Sequence, residues 1–397
     1  MARRTGGANA AGVSTDAPAV DALAVAATIR DARAARTSLR IVGAGTWLDA
    51  GRPVHADATL PLSSLRGVTQ YEPGDFTLTV RAGTPLGEIA DIVRREGQWL
   101  TLQPHGASDG TIGATIATSS WGPLASAYGT PRDHLLGCEI VTGVGEVVRA
   151  GGRVVKNVAG FDLARLMTGA WGTLGVLTEV TVRLRARPEV DRTVAVALEG
   201  TDERACDDAA RWLRTTSYRP LAAELCSAGM SSRIGLERRA LLLVRLGGNE
   251  AFVRSAQSDV AELGTTAELD SAIWDRLRTS EPMGAAVVRL GALPAELGAL
   301  WAPVSRVVAA HGGASHATIS RGVVRCILPS ARSSEDAESL RAIMKELQAP
   351  GSRVAERLPH QVWQDVPSDV GDPLSRGVRQ TFDPDRVLNP GILGPDA

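Results

Sequence analysis

Cysteine is scarce in this chain. Four thiols, Cys138, Cys206, Cys226 and Cys326, are spread over 397 residues, and none forms a C-x-x-C pair. This argues against an iron–sulfur cluster or a structural zinc site held by this sequence alone. The expectation is four reduced thiols acting as small apolar residues in a cytoplasmic protein. An excess of charge is missing as well: 43 Lys and Arg stand against 44 Asp and Glu, a formal charge of −1, whereas a nucleic-acid binder usually carries a clear basic excess. No apolar run approaches the ~18 residues of a membrane span. The longest candidate, Ala240 to Val244, meets Arg245 and reads as a buried strand stopped there. Arg3-Arg4 is followed by no hydrophobic stretch, so an export signal is not expected. The Gly/Ala/Ser-rich residues 1–18 read as disordered. No internal repeat is visible.

The length suggests two or three domains at roughly 150 residues each, and a composition 44% apolar and 22% charged is that of a globular protein. Composition changes near Pro188. Before it glycines are dense and segments short; after it come longer helical patterns rich in Ala, Arg and Glu. A first helix is expected over about Asp21–Arg36, where Leu23, Ala26 and Ile29 recur at helical spacing, followed by strands at Leu39–Val42 and Thr77–Arg81. Thr84-Pro85 is expected as N-cap and first helical residue of a helix that Gly97 ends. Leu136–Val141 and Val147–Arg149 look like a hairpin, Asp162 caps a short helix, Val176–Leu184 alternates as a strand, and Asp202–Thr215 is amphipathic. Short helices alternating with hairpin-like pairs make the fold class α+β rather than a doubly wound parallel sheet.

Four stretches have the make-up of a ligand cradle. Gly43-Ala44-Gly45 follows a strand, but Leu48 stands where a dinucleotide fingerprint needs its third glycine. The reading that remains open is an anion approached by backbone N–H groups, against a plain tight turn. The run Gln103 to Gly122 holds small residues at nearly every position, suited to lie flat on a large planar ligand; an ordinary glycine-rich loop is the alternative. Lys156 to Leu163 followed by Gly169 to Thr178, and Phe382 to Gly391 near the end, are the other two.

Together, in this order and spacing over roughly 20–188 and 376–393, these stretches resemble the FAD-linked oxidase family, the vanillyl-alcohol-oxidase or PCMH-type flavoproteins. Lys156-Asn157-Val-Ala-Gly160-Phe161-Asp162-Leu163 resembles most the E-type subunits of glycolate oxidase complexes. The resemblance implies a two-lobed FAD-binding domain over 19–188 (lobes about 19–85 and 86–188), an α+β cap over 189–375, and a segment 376–397 returning to the first domain. The cofactor-binding residues it implies are Val42, Gly43, Ala44, Gly45, Thr46 and Trp47 in a pyrophosphate loop. To these it adds Pro104, His105, Gly106, Ala107, Ser108, Thr111, Ile112, Gly113, Ala114, Thr115, Ser119 and Ser120, then Gly129, Arg132, Lys156, Gly175, Val176 and Asn389. Covalent members carry a His in the loop; here it ends Thr46-Trp47, so non-covalent FAD is expected. Trp171 stands where members often have Glu.

The implied function is the FAD-binding subunit of a glycolate (2-hydroxy-acid) dehydrogenase or oxidase complex. It would work with a D-type FAD-linked oxidase subunit and an iron–sulfur subunit, in the cytoplasm or peripheral to the inner membrane through those partners. The alternatives are a stand-alone FAD oxidoreductase for D-2-hydroxy acids or alcohols, and a scaffold that holds FAD without catalysis. Lys156 is a flavin contact or a surface cation, and Arg132 a cofactor contact or the partner of Asp133. His105 is the histidine nearest the chemistry, with a plain loop role as its alternative. His311 and His316, five residues apart with no acid beside them, do not form the metal pattern of the D-type subunit and are expected to be structural or surface residues. No catalytic base, substrate clamp or metal site is identifiable from sequence, so the chain alone is expected to turn over 2-hydroxy acids slowly or not at all.

Overall fold

The computed structural model describes residues 21–152, 162–198, 202–331, 333–368 and 370–394; the N-terminal stretch 1–18, Lys156 and most of its motif lie outside them. The chain first builds a small two-stranded sheet. Leu39–Val42 pairs in parallel with Ala58–Pro61. The helix Ala22–Ala35 buries Val25, Ala26, Ile29 and Ala32 in the same cluster as Leu39 and Leu60. An antiparallel five-stranded sheet follows, in the order Val68–Glu72, Thr77–Arg81, Val176–Arg183, Leu135–Val141, Val147–Gly151. Its core takes Leu78, Val80, Ile140, Val180 and Val182 from the strands and Ile89, Ile112 and Ile116 from helices. Thr84 does not cap the helix after it. Its hydroxyl donates to Arg81 O (2.7 Å) and accepts from Gly67 N (2.9 Å), and Pro85, in extended conformation, is the N-cap of Leu86–Arg94.

Residues 190–357 form an antiparallel sheet of eight strands. The order across it is Gly264–Leu269, Val190–Leu198, Leu241–Gly248, Ala222–Cys226, Ala314–Thr318, Val323–Ser330, Ala285–Gly291 and Arg353–Arg357. Strand side chains alternate in direction, and the two faces differ sharply. One face presents Val194, Val196, Leu225, Leu242, Val244, Val288 and Leu328 to the helices Asp202–Thr215, Glu250–Ala261, Leu297–Ala310 and Ser334–Glu346. Burying each such side chain contributes about 1.5–3 kcal/mol. The other face carries Glu224, Arg245, Arg289, His316 and Arg325, in register with one another or offset by two, and most of these are buried.

Arg245 does not stop its strand, which continues to Gly248. Two hydrogen bonds to Asp191 (Nε–Oδ1 2.8 Å, Nη2–Oδ2 2.6 Å) neutralise it, and it lies 5.4 Å over the Trp99 ring. A bidentate pair of this kind makes a buried guanidinium tolerable. The chain finally returns to its beginning. Leu39 N donates to Val387 O (2.7 Å), and Asn389 N donates to Leu39 O (2.9 Å).

Candidate flavin cleft and the buried charge cluster

A cleft opens where the first strand ends. The loop Val42 to Trp47 forms one wall, Thr111, Gly113 and Ala114 a second, and Gly175, Val176 and Asn389 the far end. Two features suit this cleft to an extended anionic ligand. The N–H groups from Gly43 to Trp47 find no acceptor among the described residues, so they are available to phosphate oxygens. Gly43 also passes so close to Thr111 that a Cβ there would lie 2.5 Å from Thr111 Oγ1, an atom that caps the helix Ile112–Thr118 by accepting from Ala114 N. The loop can lie against that helix start only without a side chain. Trp47 stacks parallel to Trp171 (centroids 6.2 Å, 8° between planes), and its Nε1 is buried without a partner.

The remaining residues implied by sequence sit around this cleft rather than in its lining. Pro104 O and Gly106 O accept from Arg278 Nη1 (2.7 and 3.2 Å), and Gly106 N donates to Arg278 O, which ties the small-residue run to the helix Ala272–Arg278. Ala107 O and Ser108 O accept from Gly110 N and Gly87 N. Ile112 is in the core, and Thr115 Oγ1 donates to Thr111 O. Ser119 ends the helix in a left-handed conformation, and Ser120 N donates back to Thr115 O. Gly129, at φ +88°, closes a turn packed on Asp133. Asp133 is engaged by Thr130 N and Oγ1 (2.7 and 3.0 Å) rather than by Arg132, which borders a separate groove with Arg165 and Arg379.

Beside the Gly-rich run lies a cluster that sequence reasoning missed. Arg325 Nε reaches Glu281 (2.5 Å) and its Nη2 reaches Glu356 (2.5 Å). Arg289 also pairs with Glu356, and Arg357 with Glu281 (3.3 Å) and with the rim residue Asp49 (3.5 Å). Burial would raise the Glu356 carboxyl, but Arg289 and Arg325 outweigh it and hold the group below its usual range. The cluster touches the first domain's residues directly: Arg357 lies over the Trp47 ring (5.4 Å) and Arg289 over Trp121 (5.5 Å). His105 packs on His316 (ring centroids 5.3 Å). His316 is buried, not a surface residue, and its acidic partner comes from another strand: Nδ1 lies 2.7 Å from Glu224 Oε2. His311 is exposed and bonds Val307 O, so the two histidines share no site. Among the described residues no group of three or more His, Cys, Asp or Glu is placed to hold a metal ion.

His105 carries a pH consequence. Burial, then Arg325 and His316, push its imidazole well below the ordinary 6.5. The unfolded chain takes up this proton near 6.5 and the folded chain does not, so the stability associated with neutral His105 is present above about 6.5 and lost as pH falls below it. The melting temperature is therefore expected to drop more steeply from about pH 7.5 to 5.5 in the wild type than in His105→Gln; parallel curves would contradict this.

Residues 19–151 match the family model described as FAD binding domain. The glycolate oxidase subunit GlcE of Escherichia coli (strain K12) is 34% identical over 248 residues, covering 62% of this chain and 65% of that one. The glycolate oxidase subunit GlcD of Bacillus subtilis (strain 168) is 33% identical over 164 residues, 41% of this chain and 35% of that one. The D-2-hydroxyglutarate dehydrogenase of Xanthomonas citri pv. viticola is 32% identical over 179 residues, with 45% and 38% covered. The matches thus span less than two thirds of these relatives' own lengths. In fold, the chain superposes on p-cresol methylhydroxylase with substrate bound at a TM-score of 0.75, with 17% identity, 96% of this chain and 88% of that one. Alkyldihydroxyacetonephosphate synthase gives 0.64 at 15% identity, with 92% and 74% covered. No helix among the described residues is long and apolar enough to cross a membrane. Residues 19–151 are thus an FAD binding domain with FAD as its cofactor, set in an α+β fold of this type beside a cleft lined by free backbone N–H groups.

Proposed function

We propose that this chain is the FAD-binding subunit of a 2-hydroxy-acid dehydrogenase of the glycolate oxidase type, oxidising glycolate to glyoxylate. The observation that carries this reading is the group of arginines in the buried cluster. Arg289, Arg325 and Arg357 gather around Glu281 and Glu356, and Arg357 is met from the rim by the more exposed Asp49. Guanidinium groups so gathered match the two oxygens of a small monocarboxylate. The likeness to glycolate oxidase subunits and D-2-hydroxy-acid dehydrogenases supports the same substrate class.

The loop Val42 to Trp47 and the wall Thr111 to Ala114 are the residues to hold the pyrophosphate. The run Pro104 to Ser108, with His105 packed on the cluster's His316, would border the reactive ring. When bound, FAD supplies the acceptor for two electrons and a hydrogen from the substrate carbon. The arginines orient the substrate carboxylate, and the surrounding Trp47, Trp121 and Trp171 rings keep water out. The scarcity of cysteine supports onward electron transfer through partners, a D-type FAD-linked oxidase subunit and an iron–sulfur subunit.

Under anaerobic conditions the purified yellow protein is expected to bleach once with glycolate or D-lactate. Sustained turnover is expected only after co-expression with such partners. A flavin that no 2-hydroxy acid bleaches overturns the proposal. Acid precipitation should leave FAD in the supernatant, because no histidine lies in the Gly43–Trp47 loop to tether it; yellow pellets would show a covalent bond.

A further inference from the structure

We infer that the Glu224–His316 pair is the base that takes the substrate hydroxyl proton, at His316 Nε2. The inference rests on the functional reading above and assigns a role that reading leaves empty. His316 is 2% exposed and Glu224 is 0% exposed, in a sheet whose interior is otherwise packed largely with apolar side chains, so a hydrophobic pair would serve stability there at least as well. The geometry is that of an oriented base. Glu224 accepts from Thr318 Oγ1 at Oε1 (2.7 Å) and faces His316 Nδ1 at Oε2 (2.7 Å). A carboxylate with both oxygens so engaged fixes the imidazole and places its hydrogen on Nδ1. Nε2 is then the basic nitrogen, and it is buried without a partner among the described residues. A buried imidazole nitrogen left unpaired is costly unless something occupies it.

What lies around that nitrogen is the site already described. His105 of the small-residue run packs on the His316 ring. Arg325 stands opposite His316 on the next strand, and Arg289 opposite Arg325 on the one after. Arg278 holds the backbone on both sides of His105. The substrate carboxylate and hydroxyl are thus offered a cation and a base from neighbouring strands. The balance is simple. The O–H bond breaks and an Nε2–H bond forms. The C–H electron pair leaves with its hydrogen to FAD, and the C–O bond becomes a carbonyl. The imidazolium so formed lies against Glu224, and the cations near it, Arg325, Arg289 and Arg278, are balanced in part by Glu281, Glu356 and Asp275.

The test uses His316→Asn, whose amide N–H still reaches towards Glu224 but which has no basic nitrogen. Single-turnover bleaching by glycolate is expected to slow by about 10²–10⁴-fold and to lose the acid limb of its pH profile. FAD content should stay full, and the dissociation constant of oxalate, read from the flavin spectrum, should change less than about threefold. Glu224→Gln is expected to shift the acid limb to lower pH. Bleaching of His316→Asn at near wild-type rate, or with an unchanged acid limb, overturns the assignment alone. A wild-type flavin that no 2-hydroxy acid bleaches overturns the functional reading and this assignment together. Should His316→Asn fail to fold, nitrogen-15 NMR of the wild type decides. A neutral His316 with hydrogen on Nδ1 supports the assignment, and hydrogen on Nε2 overturns it.

Discussion

Arg325→Met is expected to lower the unfolding free energy by about 3–5 kcal/mol, the usual cost of removing one partner from a buried charge network. Arg325 bridges Glu281 and Glu356, and all three are nearly inaccessible, with side chains 4%, 5% and 8% exposed. Methionine fills much of the volume but leaves two carboxylates with only Arg289 and Arg357 near them. The urea midpoint reports the loss. The variant that also carries Glu281→Gln, Glu356→Gln, Arg289→Met and Arg357→Met should recover most of it, since replacing a whole network is far cheaper than breaking it. The same five-residue variant should still fail to bleach with glycolate, because the clamp is gone. An unchanged midpoint in the single variant would mean that the cluster is hydrated and not the dry site described above.

Asn389→Ala is expected to empty the flavin cleft. Its Oδ1 accepts from Ile41 N (2.8 Å) and its Nδ2 donates to Trp171 O (2.8 Å). One side chain thereby ties its own segment to two others that lie 348 and 218 residues away in the sequence. Trp171 and Asn389 both hold positive φ, 53° and 43°, a conformation that needs such cross-bonds to persist. Alanine orphans an N–H and a C=O at about 1–3 kcal/mol each, and most of that cost falls on the walls of the cleft. FAD content after gel filtration should drop by tenfold or more while the circular dichroism stays native. Full flavin occupancy would show that the cleft is held without Asn389.

The first half of this fold was legible because its signals are local. The helix over Ala22–Ala35, the strands at 39–42 and 77–81, the hairpin from Leu135 and the cap at Asp162 follow from period, turn glycines and capping residues a few positions apart. The same holds for the Gly43 loop, where the absence of a side chain is itself the signal. Thr84 was misread because a hydroxyl before proline satisfies a cap pattern equally well whether it caps or turns inward. The charge cluster was illegible for a different reason. Glu224, Glu281, Arg289, His316, Arg325 and Glu356 come from separate strands and a loop, and nothing in the chain order says which of them become neighbours. The signal available was a charge inside an otherwise apolar strand, as in Val323–Ser330 and Leu241–Gly248. Arg245 carried it and was read as a strand's end rather than as a side chain paired across the sheet.

The closing of Leu39 by Val387 and Asn389 has a consequence for how the protein is made. The cleft's glycine loop and its Trp171 wall leave the ribosome early, but Asn389 follows only after the whole eight-stranded sheet has been synthesised, roughly two hundred residues later and about 10–40 s at usual elongation rates. During that interval the nascent chain carries an open, half-built flavin site with the apolar side of its first strand exposed. Cofactor capture is therefore a post-translational event, and cells starved of riboflavin should accumulate full-length apoprotein rather than arrested fragments.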